Sequence, residues 1–278
     1  MNKNCKERPP VPTGALAPTP NALLEFDGYY WWTNYPFNIS PGQGYWFNNQ
    51  QWDPRLATVD SEGLHLQMKQ TEIPGAPSAQ WSSIELVLWG ETKNNPNRPG
   101  LIPKRSYPGY GKYLVAATTT ESFNGLANNC CFGAFTYQFE KDGTITNGHR
   151  ELDMMECSRF GNFIQASNGQ FTLQPWNDNP NNVHRIEIDK LATDITIVMD
   201  WKAQSTPVVF QLFYGIHDWD SLPDSPDIQW TTSSDQNIFI PDEGCQTIHL
   251  NLWRQPQSIY PSGNQEVTIK KFSYRAAQ

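Results

Sequence analysis

The chain has 278 residues and a formal net charge of −8; only 38% are hydrophobic, yet 13% are aromatic, with 19 Gly and 22 Pro. An acidic chain with no basic run is not built to bind nucleic acid or anionic lipid. No run of about 18 apolar residues occurs, which excludes a membrane-spanning helix.

Residues 1–22 form a Pro-rich leader, KERPPVPTGALAPTP at its heart, expected to be extended and without chemistry. No apolar h-region follows Met1, so the chain reads either as cytoplasmic or as exported with its signal removed. Cys5 is then a candidate acylation site of a cleaved lipoprotein signal. From Leu23 onward the pattern is of short strands. Gly63–Lys69, Ser83–Leu86, Arg185–Ile188 and Thr247–Leu252 alternate apolar with polar residues. Asp194–Trp201, Pro207–Phe213 and Glu266–Tyr274 are three more strand candidates. Turn residues separate them: Asp142-Gly143, Asn147-Gly148, Asn168-Gly169 and the run 177–182. No amphipathic helix, internal repeat or second composition regime is visible. Many short strands without helices predict an all-β sandwich or barrel, with residues 23–278 as one domain.

The 11 Trp residues are expected mostly in the core, but Trp-rich surfaces also suit sugars, whose C–H faces stack on indole rings. Tyr29-Tyr30-Trp31-Trp32 and Tyr45-Trp46-Phe47 are read as packing of the first strands rather than as cleft-rim platforms. Five cysteines (5, 130, 131, 157, 245) form no CxxC pair. A disulfide among 130, 131, 157 and 245 is open, with the adjacent pair 130–131 disfavoured by strain. The His residues at 65, 184, 217 and 249 show no ligand spacing, so no catalytic metal is expected. Asn38-Ile39-Ser40 is a formal glycosylation sequon.

The chemistry concentrates in His149-Arg150-Glu151-Leu152-Asp153-Met154-Met155-Glu156-Cys157. Glu151 and Asp153 share a strand face, whereas Glu156 falls on the other by strict alternation. A β-bulge at Met154-Met155 absorbs one residue and restores it. The large apolar residues between the acids argue for a buried opposite face. With the bulge, Glu151 and Glu156 span about 13 Å of backbone, and inward-leaning side chains close that to about 5 Å between carboxyls. That gap suits a retaining glycosidase. Glu151 is then the nucleophile and Glu156 the acid/base, its proton retained beside an ionised Glu151. Asp153 orients Glu151, and His149 is a candidate to share Glu151's face.

HRELDMME resembles the catalytic signature of glycoside hydrolase family 16 in its bulged form, Glu-x-Asp-x-x-Glu. Pro108–Val115, Gly133–Tyr137, Asp200-Trp201 with Phe210–Gly215, Leu250–Trp253 and Val267–Tyr274 resemble further family segments, in family order over residues 23–278. The resemblance implies a jelly-roll β-sandwich of two antiparallel sheets with a concave substrate cleft. It implies retaining endo-cleavage of a β-linked polysaccharide, outside the cytoplasm or at the cell surface, by a monomer. Residue by residue, Glu151, Asp153 and Glu156 match the catalytic acids. Glu85, Gln174, Trp176, Asn251 and Trp253 match substrate-side positions. No cofactor is required, and a structural calcium on the convex side is known in the family. Two departures concern substrate: Val87 stands where relatives often carry Arg, and Cys131–Phe135 replaces a Trp-containing segment. β-1,3- or mixed-linkage glucan is the favoured substrate. A galactan hydrolase, a transglycosylase and a carbohydrate-binding protein without turnover are the alternatives.

Overall fold

The computed structural model describes residues 23–33, 45–47, 50–72, 80–94, 106–126, 129–138, 150–162, 164, 166–203, 206–233, 237–254 and 263–277. For 45–47, 50, 80 and 94 only the backbone is described. The leader with Cys5, the Asn38-Ile39-Ser40 sequon, the turns at 142–143 and 147–148, and His149 lie outside these residues.

No α-helix occurs among the described residues. The chain opens with β1 (Leu23–Phe26), β2 (Tyr29–Trp32), β3 (Tyr45–Phe47), β4 (Gln50–Trp52), β5 (Ala57–Asp60) and β6 (Gly63–Thr71). Next come β7 (Gln80–Glu91), β8 (Gly111–Thr119), β9 (Cys130–Gln138), β10 (Leu152–Cys157), β11 (Gly169–Leu173) and β12 (Val183–Ile186). It closes with β13 (Asp194–Trp201), β14 (Val209–Tyr214), β15 (Ile228–Thr231), β16 (Gln246–Arg254) and β17 (Gln265–Ala276).

These strands form the jelly-roll sandwich. The front sheet runs β1–β2–β7–β16–β9–β10–β11–β12, antiparallel throughout. The back sheet runs β5–β6–β17–β8–β13–β14–β15, also antiparallel. At one side they join: Lys69–Thr71 of β6 leave the back sheet to pair with Gln80–Ser82 of β7. The sheet thus curves nearly into a barrel and protects edges that would otherwise offer unpaired backbone.

Alternation explains which residues face inward. Leu64, Leu66 and Met68 of β6, Ile84, Leu86 and Leu88 of β7, and Ile248, Leu250 and Leu252 of β16 all reach one core. The same core takes Ile195, Ile197, Met199 and Trp201 from β13 and Val267, Ile269 and Phe272 from β17. In β17 a register shift between Ile269 and Lys271 lets Phe272 face inward against strict parity. Trp31 lies in the core, whereas Trp32 turns to the opposite side of the front sheet. There it packs edge-to-face with Trp89, ring centroids 5.5 Å apart, beside Val87. Both Trp31 and Trp32 are buried, so they pack rather than form a rim. On the outer side of the back sheet, Leu114, Ala116, Val198 and Phe213 are covered by Trp219 and Leu222.

Local details differ from the sequence reading. Asp27-Gly28, with φ of 51° and 81°, forms the tight β1–β2 hairpin turn, the conformation such Asp-Gly pairs favour. Asn168-Gly169 is not a free turn: Gly169 begins β11 and Asn168 is buried. Its Nδ2 donates to the Ile188 carbonyl at 3.0 Å, and its Oδ1 accepts from the Ile188 amide at 2.6 Å. Those bonds carry Ile188 beyond the end of β12, so the strand expected at 185–188 lies at 183–186 instead. Cys130, Cys131 and Cys157 are free and buried, while Cys245 is disulfide-bonded, so the bridge is not among those four.

Candidate active site

The strand β10 breaks parity where the sequence predicts. Against β11, Asp153 pairs with Thr172 and Glu156 with Gln170, so the two residues between them on β10 face one, Phe171, on β11. Against β9, Asp153 pairs with Phe135 and Glu156 with Gly133, again with one residue absorbed. Met154 and Met155 both turn into the core, with Leu152 and Cys157. Glu151, Asp153 and Glu156 are left on the outer, cleft face. Glu151 itself sits just before the ladder, its carbonyl accepting from the Gln174 amide at 3.1 Å.

Cross-strand register assembles the rest. One row crosses six strands: Glu85, Asn251, Gly133, Glu156, Gln170 and Arg185 stand directly opposite in turn. The next row is Val87, His249, Phe135, Asp153, Thr172 and Val183. Gly133 matters here because it has no side chain. A Cβ at 133 would lie 2.5 Å from Asn251 Oδ1, so the glycine makes the space Asn251 fills. Asn251 is 7% exposed, and its Oδ1 has no hydrogen-bond partner in the protein. A buried acceptor in this state suits a sugar hydroxyl.

The residues expected on the substrate side all reach this face. Gln174 Nε2 donates to Asp153 Oδ2 at 2.9 Å, and Gln174 Oε1 accepts from the Trp176 amide at 3.0 Å. Trp176 is 61% exposed, unusual for so large an apolar ring. Trp253 pairs with Cys131 across β16 and β9. Glu85 Oε1 lies 2.8 Å from His249 Nδ1. Val87, buried against Trp32 and Trp89, closes that part of the face with apolar packing.

A cavity of about 920 Å³ opens beside Glu156. Trp176, Trp253, Phe160 and Val183 give it apolar walls; Gln170, Gln174, Arg159 and Arg185 give it donors. Large apolar surface with few convergent polar groups is the usual composition of a ligand site.

Burial raises all three acids. It pushes Glu151 up to about 8; a hydrogen bond from Asp153 opposes this, and the charges of Glu156 and Glu85 add to it. Asp153, at 2% exposure, is driven well above the usual carboxylate range by burial and then by the charges of Glu151 and Glu156. Burial also raises Glu156, but Gln170, Thr172 and Arg185 all work against it. The expectation of a protonated Glu156 beside an ionised Glu151 leaves out Asp153 and the rise of Glu151 itself. Asp153 is the deepest of the three and the strongest proton holder; it donates to Glu151 and so favours that neighbour's anion. The three carboxyls titrate as one system.

Several residues here escaped sequence reasoning. His249 is fully buried, with Phe135 and Tyr137 ring centroids 5.2 and 5.3 Å away. Gln170, Thr172 and Arg185 carry no motif; only their alternation with Phe171 and Ile186 hints at an outward face. Among the described residues no three His, Cys, Asp or Glu side chains come together as metal ligands. Among the described residues no helix is long and apolar enough to cross a membrane.

No protein-family model matches the chain, and no curated protein matches it. Solved structures do match. A prokaryotic β-1,3-1,4-glucanase (lichenase) from a mouse hindgut metagenome aligns at 15% identity and a TM-score of 0.53, over 90% of this chain and 96% of that one. A glycosyl hydrolase family 16 protein from Mycobacterium smegmatis aligns at 17% identity and 0.50, over 94% of each chain. The fold is that of glycoside hydrolase family 16 structures. A third neighbour, at 15% identity and 0.54, covers 92% of this chain and 100% of its own. It is an immunostimulatory antigen and pseudo-β-1,3-glucanase of Mycobacterium tuberculosis. At these identities the likeness is one of fold.

Proposed function

We propose that the protein is a retaining endo-β-glycanase, cleaving a β-1,3- or mixed-linkage glucan by double displacement. The observation that carries this reading is the bulge in β10, which turns two consecutive methionines inward and leaves three carboxyls on one face. In the first step Glu151 attacks the anomeric carbon while Glu156 gives its proton to the departing glycosidic oxygen. A glycosyl ester on Glu151 results. Glu156, now a carboxylate, takes a proton from water, and the resulting attack breaks the ester and frees Glu151. Asp153 supports Glu151 throughout by donating a hydrogen bond to it. Trp176 and Trp253 offer stacking surfaces for flanking sugars, and Asn251 offers an acceptor. Such a protein works as a monomer on a polymer outside the cytoplasm.

The fold alone does not decide activity, since one neighbour that shares it is described as a pseudo-glucanase. The intact acids favour turnover over mere sugar binding. Release of reducing ends from a panel of β-glucans, xyloglucan and galactans tests this, with Glu151→Gln beside the wild type. Wild type cleaves at least one polymer, the variant binds it without cleaving, and NMR shows the first product with retained anomeric configuration. A wild type that binds these polymers and cleaves none is a carbohydrate-binding protein, and the proposal falls.

A further inference from the structure

Glu156, Gln170 and Arg185 stand directly opposite one another on β10, β11 and β12. Gln170 Nε2 donates to Glu156 Oε2 at 2.6 Å, and Arg185 Nη1 donates to Gln170 Oε1 at 2.7 Å. A side-chain amide has one accepting end and one donating end, and a guanidinium only donates. By claiming the oxygen end, Arg185 leaves Gln170 no choice but to aim its NH2 at Glu156. Arg185 is itself held. Its Nη2 donates to the carbonyls of Ser158 and Ser167 at 3.3 and 3.1 Å, its Nε to Ser167 Oγ at 3.3 Å, and the Phe160 ring lies 5.3 Å from its Cζ. Thr172 Oγ1 adds a second donor to Glu156 Oε2 at 3.2 Å.

We propose that Gln170 and Arg185 are positioning residues that set the proton affinity of Glu156, with Arg185 acting through the Gln170 amide. The inference rests on the reading of Glu156 as the acid/base. Donors on a carboxylate oxygen favour its ionised form. They help the second step, in which Glu156 must take a proton, and they lower the pH above which the first step fails. Of the other groups around Glu156, the acids push the opposite way, while the thiols and Trp253 stay neutral. Glu151 and Asp153, on or beside its own strand, add negative charge when ionised. Cys131 from β9 is a thiol kept protonated by burial, as is Cys157, which follows Glu156 in β10 but turns into the core. Trp253 from β16 is uncharged. Arg159 lines the same cavity, but Arg185 is the cation whose charge lowers Glu156, and its guanidinium is placed to work both as a charge and through the amide.

Two readouts test this. In protein labelled with 13C at the glutamate carboxyl, the Glu156 signal is assigned by its loss in Glu156→Gln and titrated with pH. Gln170→Met and Arg185→Met raise its midpoint by about one pH unit or more, the scale of a charge-assisted hydrogen bond. Thr172→Val raises it less, and Arg185→Lys, which keeps the charge without the planar fork, falls between wild type and Arg185→Met. The alkaline limb of the pH–rate profile on a cleaved glucan moves up with the midpoint. Should a Met variant fail to fold, Thr172→Val and Arg185→Lys carry the test in the same direction. Folded variants with an unchanged Glu156 midpoint overturn the inference. A shifted midpoint in a protein that cleaves no polymer sustains the relay and sinks only the glycanase reading.

Discussion

Replacing Glu151 by Gln should stabilise the fold, and more so as pH rises. The folded site lifts this carboxyl from an ordinary 4.5 to about 8, chiefly by burial. Between those values the folded state binds more protons than the unfolded chain, so stability falls as pH rises through the window. The penalty is absent below the lower value and complete above the upper one. Because the three acids share their protons, the part of this penalty that leaves with the Glu151 charge is on the order of 2–3 kcal/mol. Gln retains an oxygen to accept the Asp153 proton, so the substitution removes the charge and little else. For a chain of this size the gain amounts to roughly 5 °C in melting temperature near pH 9 and almost nothing near pH 4. Thermal melts of both proteins across this range check it. Parallel curves, with no widening gap above neutral pH, would refute the claim that the front-sheet face holds Glu151 in a charge-averse setting.

Glu156→Gln should lower cleavage of polysaccharide by about 10³-fold. On an aryl glycoside whose phenolate leaves without a proton the loss should be much smaller, and comparison of kcat/KM on the two substrates checks it. Gly133→Ala places a Cβ 2.5 Å from Asn251 Oδ1 in a packed row. Urea denaturation should show a loss of about 1–3 kcal/mol, with weaker oligosaccharide binding by calorimetry. Trp176→Ala removes a ring that is 61% exposed, so melting temperature should stay constant while KM for the polymer rises about tenfold.

Much of the fold was legible because β-strands carry their facing in a period of two. Most of β6 and β16 followed from alternation, and β13 and most of β17 were read as strand candidates at nearly their observed bounds. Even the bulge was legible. Leu152, Met154, Met155 and Cys157 are apolar at positions that strict alternation does not allow, and one absorbed residue reconciles them with acids at 151, 153 and 156. Alternation says which face a residue takes, but not which strand lies beside it. Gln170 and Arg185 are 14 and 15 residues from the groups they bond, each on a different strand, with nothing in their local sequence to join them. His249 reaches Glu85 across a separation of 164 residues, through the pairing of β16 with β7. Gly133 looks like any strand glycine until Asn251 is placed against it. Asp153's proton, too, depends on how deeply the assembled sheet buries it. The sequence by itself therefore determined the carboxyls and the face they share, because both are set by period and parity along one strand. Their protonation and their neighbours were decided only by tertiary structure, because desolvation and cross-strand register belong to strands far apart in the chain.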